Sequence, residues 1–183
     1  MHRGDDGATA DGVASHEGVR DCYAWVMPAP DSDLDPDSSP GPAITLEAFR
    51  SLMQERLPFA ALMGLAVDHI GAESVQLRTV YDERFLRPGG TIAGPIMMGL
   101  ADAAMYAVVL SRIGPVELAV TTQFSINFLR KPLPGDVLAE ARLLKLGKRL
   151  AVGEVTLWSE RGKREDPVAH VTSTYSIPPP DNR

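Results

Sequence analysis

A single cysteine, Cys22, stands among 183 residues, so no internal disulfide can form, and nowhere do cysteine and the four histidines approach zinc-site spacing. A cytosolic setting fits that usage best. No run approaches the ~18 apolar residues that span a bilayer, and the N-terminus lacks the basic-then-apolar order of a secretory signal, so neither membrane insertion nor export is expected. Positive charge is in deficit. The 18 Lys and Arg against 24 Asp and Glu give a formal net charge of -6, which disfavours a general nucleic-acid binder or a polybasic membrane protein. A Gly-x-Ser-x-Gly elbow is missing too, and His69 and His170 fall in strand patterns away from other chemistry, so a Ser-His-Asp hydrolase is disfavoured. What is present, 44% apolar and 23% charged residues, is the composition of one soluble globular domain.

The acid is unevenly placed. Residues 1–43 hold nine acids and two bases, leaving 15 acids and 16 bases for the remainder, a body of formal charge +1. That first stretch is poor in branched aliphatics and dominated from Pro28 to Pro42 by Pro, Asp and Ser. It cannot bury enough surface to offset its ordering entropy and reads as a disordered tail. Cys22, Tyr23, Trp25 and Val26 are its only apolar island. The domain is expected over residues 44–178, with a short C-terminal tail over 179–183.

Within the domain, Thr45 can cap a helix in which Phe49, Leu52, Met53 and Leu57 recur every three or four residues. Two short alternating runs, Leu65 to Ile70 and Ser74 to Tyr81, suggest a hairpin about Gly71-Ala72. The glycine-bearing loop Arg87-Pro88-Gly89-Gly90 leads to a long helix from about Pro95 to Arg112, apolar nearly all round and therefore expected to be buried. Four strands follow: Leu118 to Leu129, Val137 to Leu146, Leu150 to Ser159 and Val168 to Ile177. In the first, Val120, Phe124, Ile126 and Phe128 share one face while Thr121, Gln123, Ser125 and Asn127 share the other. Turns at Gly147-Lys148 and Arg161-Gly162-Lys163 predict pairing between sequence neighbours. The order is that of an α+β domain in which an antiparallel sheet curls around one long helix.

Asp102 is the only carboxylate in that helix. Unpaired there, it would cost several kcal/mol, so it is either a structural hydrogen-bonding group or a general base or nucleophile in a cleft. Gly94 opens the helix, where unsatisfied N–H groups at the positive end of the dipole make a ready oxyanion hole; its bland reading is a flexible entry beside Pro95. Eight residues separate the two, about 12 Å along the helix, too far for both to touch one carbonyl group. A site using both therefore needs Asp102 to meet the glycine of an antiparallel neighbouring helix in a two-fold dimer.

The run Gly94-Pro95-Ile96-Met97-Met98-Gly99-Leu100-Ala101-Asp102, then Val120 to Pro132, Gly135-Asp136 and Lys145-Leu146-Gly147-Lys148-Arg149, resembles the hot-dog-fold acyl-CoA thioesterases of the PaaI-like group, over roughly residues 45–178. The resemblance implies a curved sheet around the helix, dimers with a continuous sheet, often paired into tetramers, and thioester sites between protomers. The family's His-Gly-Gly falls on Ala93-Gly94-Pro95, so the oxyanion glycine is kept while the His and the second Gly are replaced. The acid falls on Asp102, an amide six positions before the His falls on Arg87, and a water-holding hydroxyl falls on Thr121.

The expected function is acyl-CoA thioester hydrolysis in the cytoplasm, with no metal, cofactor, nucleic acid or membrane involved. Gly94 polarises the carbonyl, Asp102 activates water or attacks, and Thr121 assists. Arg130, Lys131, Lys145, Lys148 and Arg149 are candidates for the CoA phosphates, and equally well solvated turn residues, and Arg87 is a further substrate-binding candidate. Met97, Met98, Met105, Tyr106 and Phe128 are candidates for an acyl pocket, against the alternative of plain core. A non-catalytic acyl-CoA binding or sensing protein is the other reading, which the missing His would suit, and a hot-dog dehydratase stands third.

Overall fold

The structure, a computed structural model, describes residues 41–179. The tail predicted over 1–43, with its apolar island, and that over 179–183 lie outside the described residues except at their inner ends. At the first of these, the Ala43 N–H donates to the Ser111 carbonyl at 2.6 Å, which ties Ala43 into the folded body one residue before the expected boundary.

Helix α1 spans Leu46–Arg56 and starts as its sequence predicts: the Thr45 side chain accepts the Ala48 N–H at 3.1 Å. It buries Phe49, Leu52 and Met53. A second short helix, α2 (Pro58–Leu62), was not anticipated; Pro58 takes its first position, where no N–H is needed. Strands β1 (Leu65–Ile70) and β2 (Val75–Thr79) form the predicted hairpin. The glycine-bearing loop folds as a miniature hairpin of β3 (Leu86–Arg87) and β4 (Thr91–Ile92), turned by Gly89 and Gly90 at φ +93° and +68°. Helix α3 spans Gly94–Ile113, and β5 (Val120–Phe128), β6 (Val137–Leu146), β7 (Leu150–Ser159) and β8 (Ala169–Ser176) complete the body.

The six long strands form one antiparallel sheet in the order β1-β2-β6-β7-β8-β5. Laid flat, six strands spaced about 4.8 Å apart are more than twice as wide as a helix with its side chains, about 10–12 Å across. Yet α3 touches every one of them, so the sheet wraps around it. Small inward residues make the wrap close: Ala139, Ala141, Ala151, Gly153 and Ser173 are fully buried and leave room for Leu100, Met105 and Val108 of the helix. Among the described residues α3 is the one helix long and apolar enough to cross a membrane, and that apolarity is spent on filling the sheet.

The wrap is incomplete on one side. Pro95 and Met98 are exposed, and Gly99, Asp102, Ala103 and Tyr106 are part-exposed, a stripe at helical spacing that no strand covers. The expectation of burial all round is corrected by this: the sheet occupies most of the circumference and leaves one face open. The sheet edge beside it is also bare. β5 pairs on one side only, with β8, and exposes apolar residues there, Val120 at 56% and Phe128 at 51%.

Candidate active site

Asp102 sits midway along the open stripe of α3, and two hydroxyls converge on it. Thr121 Oγ1 donates to its Oδ1 at 2.6 Å, and Tyr175 Oη lies 2.8 Å from the same oxygen and 3.0 Å from the Asp102 backbone carbonyl. Simple alternation along β5 would point Thr121 outward with Gln123, Ser125 and Asn127. The pairing with β8 instead slips between Thr121 and Gln123, so that Thr121 stands opposite Tyr175, on the inner face with Phe124 and Ile126. The bulge re-aims one side chain and thereby builds the site. Thr122, the residue passed over, turns its hydroxyl to the Thr174 carbonyl.

Tyr175 was not anticipated. It lies in an ordinary alternating strand, and nothing in the spacing around it marks chemistry. The residue is 2% exposed, and its ring lies 6.4 Å, centroid to centroid, from Tyr106, which packs in turn, tilted, at 6.1 Å from Phe49. Burial first, and the adjacent Asp102 charge second, push the Tyr175 phenol far above its ordinary range, so the hydroxyl keeps its proton. Burial also raises Tyr106, whose hydroxyl donates to the Glu117 carbonyl at 3.3 Å.

Gly94 opens α3 without a side-chain cap. Pro95 has no N–H, and the Ile96 N–H donates to the Ala93 carbonyl at 3.1 Å, so of the first three helical residues Gly94 alone offers an N–H with no described acceptor. A β-carbon on Gly94 would lie 3.2 Å from Phe128 Cζ, so the missing side chain lets that ring close over the helix start.

Two clefts of different chemistry flank the helix. One, about 460 Å³, runs past Gly94 and is lined by Arg87, Met97, Phe128, Arg130 and Lys131 among others. The other, about 550 Å³ and mostly apolar, holds Asp102, Thr121, Tyr175 and Tyr106 with Leu57, Phe59 and Leu65. Arg87, Arg130 and Lys131 are thus brought together near Gly94, Arg130 also pairing with Asp166 at 3.0 Å. Met97 is buried at the floor of that cleft, and Met98 lines a shallow groove with Asp102, Thr121 and Phe124. Met105 is core, its Sδ against Gly153. Lys145, Lys148 and Arg149 line neither cleft: they cluster at the exposed β6–β7 turn. No group of three or more potential metal ligands exists among the described residues.

Comparison with known proteins places this arrangement. The model of the thioesterase superfamily matches residues 89–165, from the β3–β4 turn to the loop after β7. A crystal structure of a candidate thioesterase from Silicibacter sp. TM1040 is 44% identical, the match covering 75% of this chain and 94% of that one at a TM-score of 0.68. A point variant of the phenylacetic acid degradation protein PaaI from Thermus thermophilus is 29% identical, covering 66% and 99% of the two chains, TM-score 0.58. A candidate esterase from Saccharolobus solfataricus is 25% identical over 118 residues, 64% of this chain and 77% of that protein. With the sheet wrapped on its central helix and this likeness over nearly the whole of the Silicibacter protein, the chain belongs to the thioesterase superfamily and has its hot-dog fold.

Proposed function

We propose that the protein hydrolyses an acyl-CoA thioester to the free acid and CoA, at sites shared between two protomers in the cytoplasm. The observation that carries this reading is the carboxylate of Asp102, clamped by two hydroxyls at one oxygen and set on the one uncovered face of a helix whose first N–H is open. The ~12 Å between Gly94 and Asp102 requires the partner's Gly94 to complete the site. The bare β5 edge beside the open face supplies the means, since two such edges pair into one continuous sheet. Pairing of dimers into tetramers belongs to the same reading.

The partner's Gly94 N–H then donates to the thioester carbonyl oxygen as negative charge gathers there. Asp102 takes a proton from water as the water oxygen attacks the carbonyl carbon. Collapse of the tetrahedral intermediate breaks the C–S bond and releases the thiolate, which takes up a proton as CoA. In the alternative order Asp102 itself attacks, giving a mixed anhydride that water hydrolyses. The basic cleft with Arg87, Arg130 and Lys131 suits the phosphate-bearing end of the substrate, and the apolar cleft beside Asp102 suits the acyl group.

The test is turnover of an acyl-CoA panel with thiol detection, on the native protein and on Asp102→Asn. The amide is nearly isosteric but is neither base nor carboxylate nucleophile, so kcat should fall at least ~10²-fold with folding preserved. Near-native turnover in the variant sinks the assignment. A second reading is favoured by one residue: Ala93 stands where the resembling family carries His. A non-catalytic acyl-CoA binder would be stabilised by the panel and release no thiol.

A further inference from the structure

We propose that Tyr175 is a positioning residue of the site: its buried hydroxyl, with that of Thr121, pins Oδ1 of Asp102 and leaves Oδ2 as the reactive oxygen facing the apolar cleft. This rests on the reading of Asp102 as the base or nucleophile.

The geometry is specific. Thr121 and Tyr175 are register partners on β5 and β8, so their side chains leave the sheet on the same face, one beside the other. The bulge after Thr121 is what brings them opposite. Both hydroxyls reach Oδ1, at 2.6 and 2.8 Å, and no described residue donates to Oδ2. A carboxylate on an exposed helix face ordinarily rotates about its last bond and presents either oxygen. Here a swing would cost two charge-assisted hydrogen bonds at once, so one oxygen is anchored and the other presented.

Tyr175 is the firmer of the two anchors. Thr121 is exposed, and its hydroxyl can turn to water, whereas Tyr175 is buried and its hydroxyl lies against Asp102 and Thr121. Its contact with the Asp102 backbone carbonyl fixes the phenol to the helix as well as to the side chain. The ring is held from the other side by Tyr106. Burial and the neighbouring Asp102 charge push the Tyr175 phenol up, so its proton stays in place and available to the carboxylate. The other ionisable groups around the cluster are few. Tyr106 faces it from α3; Glu117 lines the same cleft from the loop after α3, and its carboxylate is already held by Arg56 of α1 at 3.0 Å. β5 and β8 contribute only neutral side chains next to the pair, Thr122, Ser173, Thr174 and Ser176.

Removing the Tyr175 donor therefore acts through Asp102. In Tyr175→Phe the carboxylate loses a hydrogen bond, and the acid limb of the kcat/KM profile should move up by about one pH unit. The freed carboxylate also samples unproductive rotations, so kcat on the plateau should fall roughly tenfold with KM little changed. Site-specific 3-fluorotyrosine at position 175 keeps the ring and strengthens the donor, so it should move the acid limb down, and it serves even if Tyr175→Phe folds poorly. The carboxyl ¹³C resonance of Asp102, assigned by its loss in Asp102→Asn, should titrate with the same two shifts and needs no turnover. A limb and a resonance that stay in place in both Tyr175 variants overturn the proposal. Turnover that survives Asp102→Asn instead overturns the reading of Asp102 beneath it, so the two failures are distinct.

Discussion

Glu154 lies between two bases on the strands that flank it, bonded to Arg142 on β6 (Nε to Oε1, 2.6 Å) and to His170 on β8 (Nε2 to Oε2, 3.0 Å). The hydrogen bond from Arg142 holds its carboxyl below the usual glutamate range against the opposing effect of burial, and His170 adds to the lowering. A depressed carboxylate stabilises the fold at pH values above its unfolded pKa, and that contribution is lost as pH falls through the folded value. Glu154→Gln should thus lower Tm by about 3–5 °C at pH 7, for a loss of roughly 1 kcal/mol. The two proteins should converge well below pH 4.5, the ordinary glutamate value. A gap of equal size at pH 3 and pH 7 would show that packing rather than charge is responsible. The same residue-level view separates Asp102 from Tyr175. A lone acid in an apolar helix is conspicuous in a sequence, while a tyrosine in a strand is what strands ordinarily contain.

Gly153 shows how β7 and α3 are matched. A β-carbon there would meet Met105 Cε at 2.6 Å and Sδ at 2.7 Å, and the Arg142 carbonyl oxygen at 2.8 Å. The methionine tip can move, but the carbonyl belongs to the β6 backbone beside the register slip between Leu143 and Lys145. Gly153→Ala should therefore cost about 1–3 kcal/mol by denaturant titration, and the added Met105→Ala should not recover it. Recovery in the double variant would place the conflict in the side chain alone. The converse case is Gly99, where a β-carbon would clash with the movable tip of Met63 at 2.6 Å and meet Phe59 at an ordinary 3.8 Å. Helices α1 and α2, strands β1 and β2, and the bulge in β5 together decide which part of α3 stays open. Of these the bulge and α2 were beyond the hydrophobic pattern. A bulge depends on which partner residue stands opposite, and five helical residues are too few to display a period.

For the molecule as a whole, the proposed two-protomer site makes a quantitative prediction. Gly94→Val crowds Phe128, whose ring already lies 3.2 Å from the β-carbon position, and blocks the oxyanion position, while Asp102→Asn removes the carboxylate. Each homodimer then has two defective sites. A mixed dimer has one site with both defects and one with neither, so dissociation and random reassembly should restore about a quarter of native activity. Verified heterodimers as inactive as their parents, with both variants folded, would show that each chain completes its own site.

The order of the main elements, the long central helix, the bounds of β6 and β7 and the singularity of Asp102 follow from the amino-acid sequence alone, because hydrophobic period, turn residues and an acid out of place are local properties. The start of that helix at Gly94-Pro95 was legible too, because a proline needs no N–H there. The tertiary structure decided the rest. Only strand pairing across the sheet turned Thr121 inward and set Tyr175 against Asp102, and only the limited reach of six strands around a helix left the Asp102 face uncovered. It likewise carried Arg87, Arg130 and Lys131 to one cleft and left Lys145, Lys148 and Arg149 on the β6–β7 turn outside it, a sorting that charge in a sequence cannot express, since it depends on where chain segments far apart in number come to lie.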